Sequence, residues 1–290
     1  MGKTIVFESD RDHELFMQDF LSPSYIEDKF NSWKVLENYD VKNIDFKQSL
    51  INELISKGIA KKEELEKYGN SLENLHKCLH DSKKNLDDTE QNEVSINFYD
   101  ISDGFKKEYL KFLKHNIAKL FSEPIYFQSV PTFRFHFPNQ KGYEWKDRYH
   151  TDIMLGHPPY ELNVWIPFTK VFDSNSMRIT PLKDSLNFIK NSNYDFELFA
   201  KNVQYELDYI NELKAKSEAL SMNYGEFIIF DPRCLHCTQH NQTDVTRISL
   251  DIRIITAENL KKYSREYRTT GRKKMLFQPG HYFSKKPIQL

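Results

Sequence analysis

His150-Thr151-Asp152 places an imidazole and a carboxylate two residues apart. In an extended chain such residues project to the same side, so one short strand would aim both at a single metal ion. His236 follows 84 residues after Asp152, at the end of Gly225-Glu226-Phe227-Ile228-Ile229-Phe230-Asp231-Pro232-Arg233-Cys234-Leu235-His236. That stretch reads as a turn, a strand and a second turn. Two histidines and one carboxylate leave three positions open on an octahedral ion, the donor set of a non-haem Fe(II) centre. Arg247, eleven residues beyond His236, opens the run Arg247-Ile248-Ser249-Leu250-Asp251-Ile252-Arg253-Ile254. A guanidinium there can take a carboxylate through two parallel hydrogen bonds, as a co-substrate such as 2-oxoglutarate would require.

An isolated H-x-D triplet is common and usually structural. Its weight here comes from order: the triplet, an Asn163-x-Trp165 strand, a Gly225-acid-strand-His236 unit, and an Arg247-x-Ser249 strand. His240 competes with His236, but it leaves only seven residues before Arg247 and adjoins Asn241-Gln242-Thr243-Asp244, which reads as the intervening turn. His236 is therefore the expected ligand. Cys234-Leu235-His236-Cys237 forms a C-x-x-C, yet Cys78 is the only other cysteine, too few for a four-ligand zinc site. Cys234 and Cys237 are read as small core residues flanking a ligand.

Arg134 and His136 share the polar face of Thr132-Phe133-Arg134-Phe135-His136-Phe137. They either pair across strands or hold substrate. Trp165 shares a face with Asn163, and His157 lies in the turn Gly156-His157-Pro158-Pro159, as a loop residue or as part of a substrate mouth.

The elements that must position these groups change character along the chain. Residues 1 to about 45 read as loop with short helix. Leu50, Ile51, Leu54 and Ile55, then Leu72, Leu75 and Leu79, predict helix from Phe46 to about Ser82. Phe105, Tyr109, Phe112, Ile117, Leu120 and Phe121 mark an amphipathic helix over 104–121. The period then falls to two at 132–137, 161–168 and 247–254. Several strands with one polar face each suggest a barrel or jelly roll around a wet pocket. The expected organisation is a single unit, mainly β with α. It comprises an N-terminal helical layer (1–122), a double-stranded β-helix core (123–256) with a helical surface insertion at about 184–221, and a basic C-terminal extension (257–290). From Lys261 onward that extension carries nine Lys or Arg against one acid, Glu266. It is read as solvated or oligomer-contacting, or as a segment that receives a phosphorylated substrate.

Composition narrows the classes. With 290 residues the chain can bury a substantial core. Its 39% hydrophobic content is low, and 22 Phe and 16 Tyr compensate. A net charge of −1 gives no reason to expect nucleic acid. Three cysteines make no disulfide framework, the N-terminus shows no apolar signal core, and no run is long enough for a membrane span. A cytoplasmic location and a small-molecule substrate are the expectations, with association between copies left open.

Tyr149-His150-Thr151-Asp152, Asn163-Val164-Trp165-Ile166-Pro167-Phe168, and Gly225-Glu226 through His236, Asn241 and Arg247-Ile248-Ser249 resemble the Fe(II)/2-oxoglutarate-dependent dioxygenases. Within them the chain resembles the phytanoyl-CoA dioxygenase-like branch, and more narrowly the StrG-type oxygenases of streptomycin and surface-carbohydrate gene clusters. The resemblance covers roughly residues 125–256. It implies that His150, Asp152 and His236 ligate Fe(II), that Arg247 binds the distal carboxylate of 2-oxoglutarate with Ser249 as a hydrogen-bond partner, and that Asn163 orients co-substrate or substrate. It further implies O₂ as oxidant and the oxidation of a small polar molecule: a sugar, aminocyclitol or nucleotide-linked sugar. A carboxylate at Asp152 favours hydroxylation or desaturation over halogenation, since the related halogenases free this position for chloride. Arg134, His136, Trp165 and His157 are the candidate substrate-facing residues. The family's P-G-S-H turn reads Pro181-Leu182-Lys183-Asp184-Ser185 here, without its Gly and His. Two rival readings are a cupin-like metal enzyme that does not use 2-oxoglutarate, and a jelly-roll binding protein without catalysis.

Overall fold

A computed structural model describes residues 4–87, 91–140, 148–266, 269–270 and 276–289. The strands are β1 (Val6–Phe7), β2 (Lys34–Asn38), β3 (Ile125–Phe127), β4 (Thr132–His136), β5 (Leu162–Pro167), β6 (Met177–Ile179), β7 (Glu218–Ala219), β8 (Glu226–Phe230), β9 (His236–Thr238), β10 (Arg247–Thr256) and β11 (Thr269–Thr270). The α-helices are α1 (Asp10–Phe20), α2 (Tyr25–Phe30), α3 (Phe46–Ser56), α4 (Lys62–Lys67), α5 (Asp81–Lys84), α6 (Glu93–Asn97), α7 (Asp103–Phe112), α8 (Leu182–Asn191), α9 (Phe196–Tyr205), α10 (Leu207–Lys216) and α11 (Ala257–Glu266).

The strictly alternating run from Arg247 becomes β10, the axis of the larger sheet, whose order is β2-β8-β5-β10-β3. All its pairings are antiparallel, and β10 pairs β5 along one side and β4 then β3 along the other. A three-stranded sheet, β7-β6-β9, lies across from it. Alternation sorts the side chains. Ile248, Leu250 and Ile252 of β10, Phe133 and Phe135 of β4, and Val164 and Ile166 of β5 join Phe46, Leu50, Phe105 and Phe112 of α3 and α7 in one core. The opposite face sends Trp165, Ile228 and Phe230 against Met177, Ile179, Leu220 and Met222 of the smaller sheet. This is the double-stranded β-helix with a helical layer on its outer face. Truncating a fully buried ring such as Phe112 to alanine would cost about 3–5 kcal/mol.

Several expectations are corrected. The predicted helix over 46–82 is divided: α3 stops at Lys57, and Gly58 (φ 63°) and then Gly69 and Asn70 (φ 65° and 54°) adopt the left-handed backbone that ends helices. Leu72–Lys77 is a 3₁₀ segment. The helix over 104–121 is present, but after α7 it passes through a π turn at Leu113–Ile117 and a 3₁₀ turn at Ala118–Leu120. The first 45 residues hold more than short helix. Lys34–Asn38 pairs in full register with Glu226–Phe230 and forms an edge of the larger sheet. The segment read as a surface insertion is not superficial. Phe188, Ile189, Phe196, Phe199 and Val203 are buried against Phe16 and Phe20 of α1, with ring centroids 5.6–6.1 Å apart where Phe196 meets those two. Its irregular apolar spacing arises because three short helices bury different faces.

The C-terminal residues cover the sheet edge at β3, through bridges Ile125↔Ile288 and Gln128↔Phe283. Lys285 and Lys286 are exposed, and Lys262 binds the Asp19 carboxylate at 3.0 Å. Arg268, Arg272, Lys273 and Lys274 of the basic tail lie outside the described residues. Among the described residues no helix is long and apolar enough to cross a membrane.

Candidate metal centre

His236 begins β9, and its backbone exchanges both hydrogen bonds with His150, at 3.0 Å each way. In such a pair the Cα atoms stand about 5.5 Å apart and the side chains share a face. The two imidazole centroids are accordingly 4.5 Å apart. Asp152 arrives differently from the expectation. His150 makes a single bridge, and Asp152 has helical dihedrals (φ −65°, ψ −29°) where it opens a 3₁₀ turn over Ile153–Leu155. The Met154 backbone N–H donates to the Thr151 hydroxyl at 3.3 Å, which helps turn the chain there. The carboxylate still converges: donor atoms of His150, Asp152 and His236 all lie within 4.8 Å of one another. Among the described residues this is the one cluster of metal-ligand type, and it uses His236 rather than His240.

The polar partners prepare each donor. His150 Nδ1 is 3.0 Å from the Arg148 carbonyl, and His236 Nδ1 is 3.0 Å from the Cys234 carbonyl. A carbonyl can only accept, so each Nδ1 carries the proton and each Nε2 presents its lone pair. Burial, then the neighbouring His150, push His236 down to about 4, which keeps it neutral near pH 7. Burial opposes the charge on Asp152, but Arg253 outweighs it and holds the carboxyl well below the usual range. Arg253 donates to Asp152 Oδ2 from Nε at 3.0 Å and from Nη2 at 2.8 Å. Two neutral imidazoles and an ionised carboxylate, all pre-oriented, form a donor set that fits Fe(II).

The turn that delivers His236 is anchored elsewhere. Arg233 is buried, pairs with the Asp231 carboxylate at 2.7 and 2.8 Å, and donates to the Phe20 and Ser22 carbonyls. Ser24 donates to Asp231 at 2.6 Å. Ser185 accepts from the Leu235 N–H at 2.9 Å, so the turn that departs from P-G-S-H still tethers the ligand strand. Cys234 and Cys237 are buried and outside any disulfide.

Further along β10, Arg247 is 1% exposed and donates weakly to Thr238 Oγ1 at 3.4 Å, while its Nε has no partner. Its guanidinium lies 6.0 Å from the Trp165 ring. Burial without a carboxylate pushes it down to about 10, still protonated at pH 7. Ser249 shares that face, is fully buried, and its hydroxyl has no partner. Asn163, opposite Arg253 in register, is buried with both amide atoms unpartnered. His136 stands opposite Arg247, and Arg134 opposite Ser249 with an ion pair to Asp251 at 3.3 Å. His157 lies apart from this polar face. Its Nδ1 is 2.6 Å from the Glu161 carboxylate, and its ring packs on Phe277 and Tyr282.

Sequence reasoning missed Arg253, although the alternation of β10 had placed it on the polar face. It also missed Glu161 and the Asp231–Arg233 pair, which only tertiary packing brings into play.

The Streptomyces griseus protein described as "Streptomycin biosynthesis protein StrG" is 25% identical over 187 residues, covering 64% of this chain and 72% of its own. Among solved structures, EctD from S. alaskensis with 2-oxoglutarate and 5-hydroxyectoine superimposes with a TM-score of 0.48 at 10% identity, over 89% of this chain and 84% of that one. A non-heme monooxygenase, the ThoJ–nickel complex, gives 0.35 at 14% identity, over 59% of this chain and 57% of that one. Thus the chain spans a little over half of ThoJ. The family described as phytanoyl-CoA dioxygenase (PhyH) matches residues 54–249, two-thirds of the chain and every residue of the cluster. The chain belongs to that family and is an oxygenase that works with Fe(II), 2-oxoglutarate and O₂.

Proposed function

We propose that His150, Asp152 and His236 hold the Fe(II), that Arg247 and Ser249 receive the distal carboxylate of 2-oxoglutarate, and that the enzyme oxidises a small polar metabolite of the sugar or aminocyclitol class. Bound Fe(II), 2-oxoglutarate and O₂ supply the oxidant that breaks a substrate C–H bond. The chain's own part is placement. The carbonyl-tethered imidazoles fix the direction of both nitrogen donors. Asn163, with two unpartnered amide atoms inside the sheet face, is available to co-substrate or substrate. Trp165, packed beside the Arg247 guanidinium, walls off water from that charge.

The observation that carries this reading is a fully buried guanidinium without a carboxylate partner, on the strand face that also serves the His-Asp-His cluster. An uncompensated buried charge is expensive unless an anion completes it. Arg134, His136 and His157 are proposed as the substrate-side groups. Arg134 keeps 37% exposure where its neighbour Arg247 keeps almost none, so the face opens toward Arg134. The substrate class is supported by the printed name of the streptomycin-pathway relative.

The test is a screen of sugars, aminocyclitols and nucleotide-linked sugars for substrate-stimulated succinate formation with Fe(II) under air. At least one polyhydroxylated compound should raise succinate release, and H236A should abolish the increase. Stimulation confined to hydrophobic acyl compounds would overturn the substrate class. Stimulation that survives H236A would overturn the ligand set.

A further inference from the structure

We propose that Arg253 is a positioning residue that keeps Asp152 a one-oxygen ligand. The inference rests on the reading that His150, Asp152 and His236 hold the metal, and it assigns a task to a side chain outside that set. Asp152 Oδ2 accepts two hydrogen bonds from one guanidinium, at 3.0 and 2.8 Å. A carboxylate oxygen has two in-plane lone-pair directions, so Oδ2 is fully engaged. Oδ1 is the oxygen turned to the imidazoles, 3.9 Å from His236 Nε2.

Arg253 can do this because it is itself held. Its backbone sits in β10 opposite Asn163, and its carbonyl accepts from the Gln128 N–H at 2.8 Å. Its side chain is 12% exposed, and Glu161, a fully buried carboxylate, adds to the negative surroundings that favour its charge. A rigid planar fork so placed resists rotation of the Asp152 carboxylate in a way a lysine would not.

The consequence is a matter of coordination number. One oxygen and two nitrogens leave three positions on an octahedral ion, the number that a chelating 2-oxo acid and dioxygen need together. Released from Arg253, Asp152 could offer both oxygens and occupy a fourth. 2-Oxoglutarate would then compete with a protein ligand for its second donor position, although Arg247 is untouched.

The test uses the full-length protein under anaerobic conditions, with Fe(II) added to wild type, R253M, R253K and H236A. Two quantities are read: Fe(II) affinity, and the visible charge-transfer absorption that appears as 2-oxoglutarate is titrated onto the metal. R253M should bind 2-oxoglutarate at least tenfold more weakly and give a shifted or attenuated band, with R253K intermediate. A band and affinity within twofold of wild type in R253M would overturn the clamp, provided H236A has lost Fe(II). Unchanged Fe(II) affinity in H236A would overturn the ligand set and the clamp with it. If R253M does not fold, R253K decides: a wild-type band there overturns the clamp, and a shifted one supports it.

Discussion

Two guanidiniums lie six residues apart on one face of β10, both buried, and their surroundings are opposite. Arg253 meets the Asp152 carboxylate at 2.8 Å, and although burial disfavours its charge, that carboxylate holds its pKa above the ordinary arginine value. Arg247 has no carboxylate in hydrogen-bonding reach, and burial pulls it down to about 10. Strand geometry cannot explain the contrast, since both residues share the same register parity and sheet. The difference is what each is for: Arg253 completes a protein ligand, whereas Arg247 is left for an anion that the chain does not supply. A buried charge is thus informative when its partner is missing.

The sharpest way to break the comparison is R247M on the Fe(II)-loaded protein. Removing one partner of a buried, hydrogen-bonded charge pair costs about 2–5 kcal/mol, so the Kd for 2-oxoglutarate should rise by roughly 30-fold or more. Fe(II) affinity should not move. Anaerobic titration calorimetry reads both, and wild-type 2-oxoglutarate affinity in R247M would assign that carboxylate to another site.

The next effect is on stability, and its sign differs between the two arginines. In metal-free protein R253M leaves the Asp152 carboxylate buried without its ion-pair partner, which should lower unfolding free energy by about 3–5 kcal/mol. R247M removes a charge that had no counter-charge and should leave stability unchanged or higher. Urea unfolding without metal or 2-oxoglutarate checks both. Equal losses in the two variants would mean that Arg247 has a protein partner after all.

Acid tests the histidines beside each arginine. His236 is held near 4 in the fold, against about 6.5 in the unfolded chain. Between those values the unfolded state carries a proton that the native state lacks, so stability falls as pH drops from about 6.5 to 4 and then levels off. The loss in metal-free protein is about 3 kcal/mol from this group. His136, pushed well below its ordinary value by burial and then by Arg247, contributes in the same direction at the other arginine. H236N should therefore flatten the pH dependence in part. An unchanged slope would show that His236 is not held neutral.

Much of this centre was legible in the chain because its residues obey local rules. Period-two alternation put Arg247, Ser249, Asp251 and Arg253 on one face, and β10 keeps that order. The choice of His236 over His240 followed from the space a turn needs before the next strand, and His236 is the one that meets His150. Legibility failed where partners are remote. Asp152 departs from the extended geometry assumed for an H-x-D pair, since Thr151 helps start a 3₁₀ turn, yet its side chain still reaches the cluster. Residues 34–38 show little periodicity, because as an edge strand they bury only partly, and their pairing with β8 lies nearly 200 residues away. Nothing near Arg233 in the chain announces that it would bind the Phe20 and Ser22 carbonyls.

The smallest effect concerns the third arginine on this face. Arg134 pairs with Asp251 at 3.3 Å, but its side chain is 37% exposed and that of Asp251 19%. Solvent screens such a pair, so R134A should cost less than about 1 kcal/mol in urea unfolding. That places Arg134 between the two buried arginines: it has a protein partner, as Arg253 does, yet remains open to a ligand, as Arg247 does. If it faces substrate, R134A should raise the substrate KM while leaving 2-oxoglutarate affinity as in wild type. If its task is to hold Asp251, the unfolding curve should move and KM should not. The two measurements on one variant decide whether the polar face of β10 divides into a metal side, a co-substrate side and a substrate side, or into the first two alone.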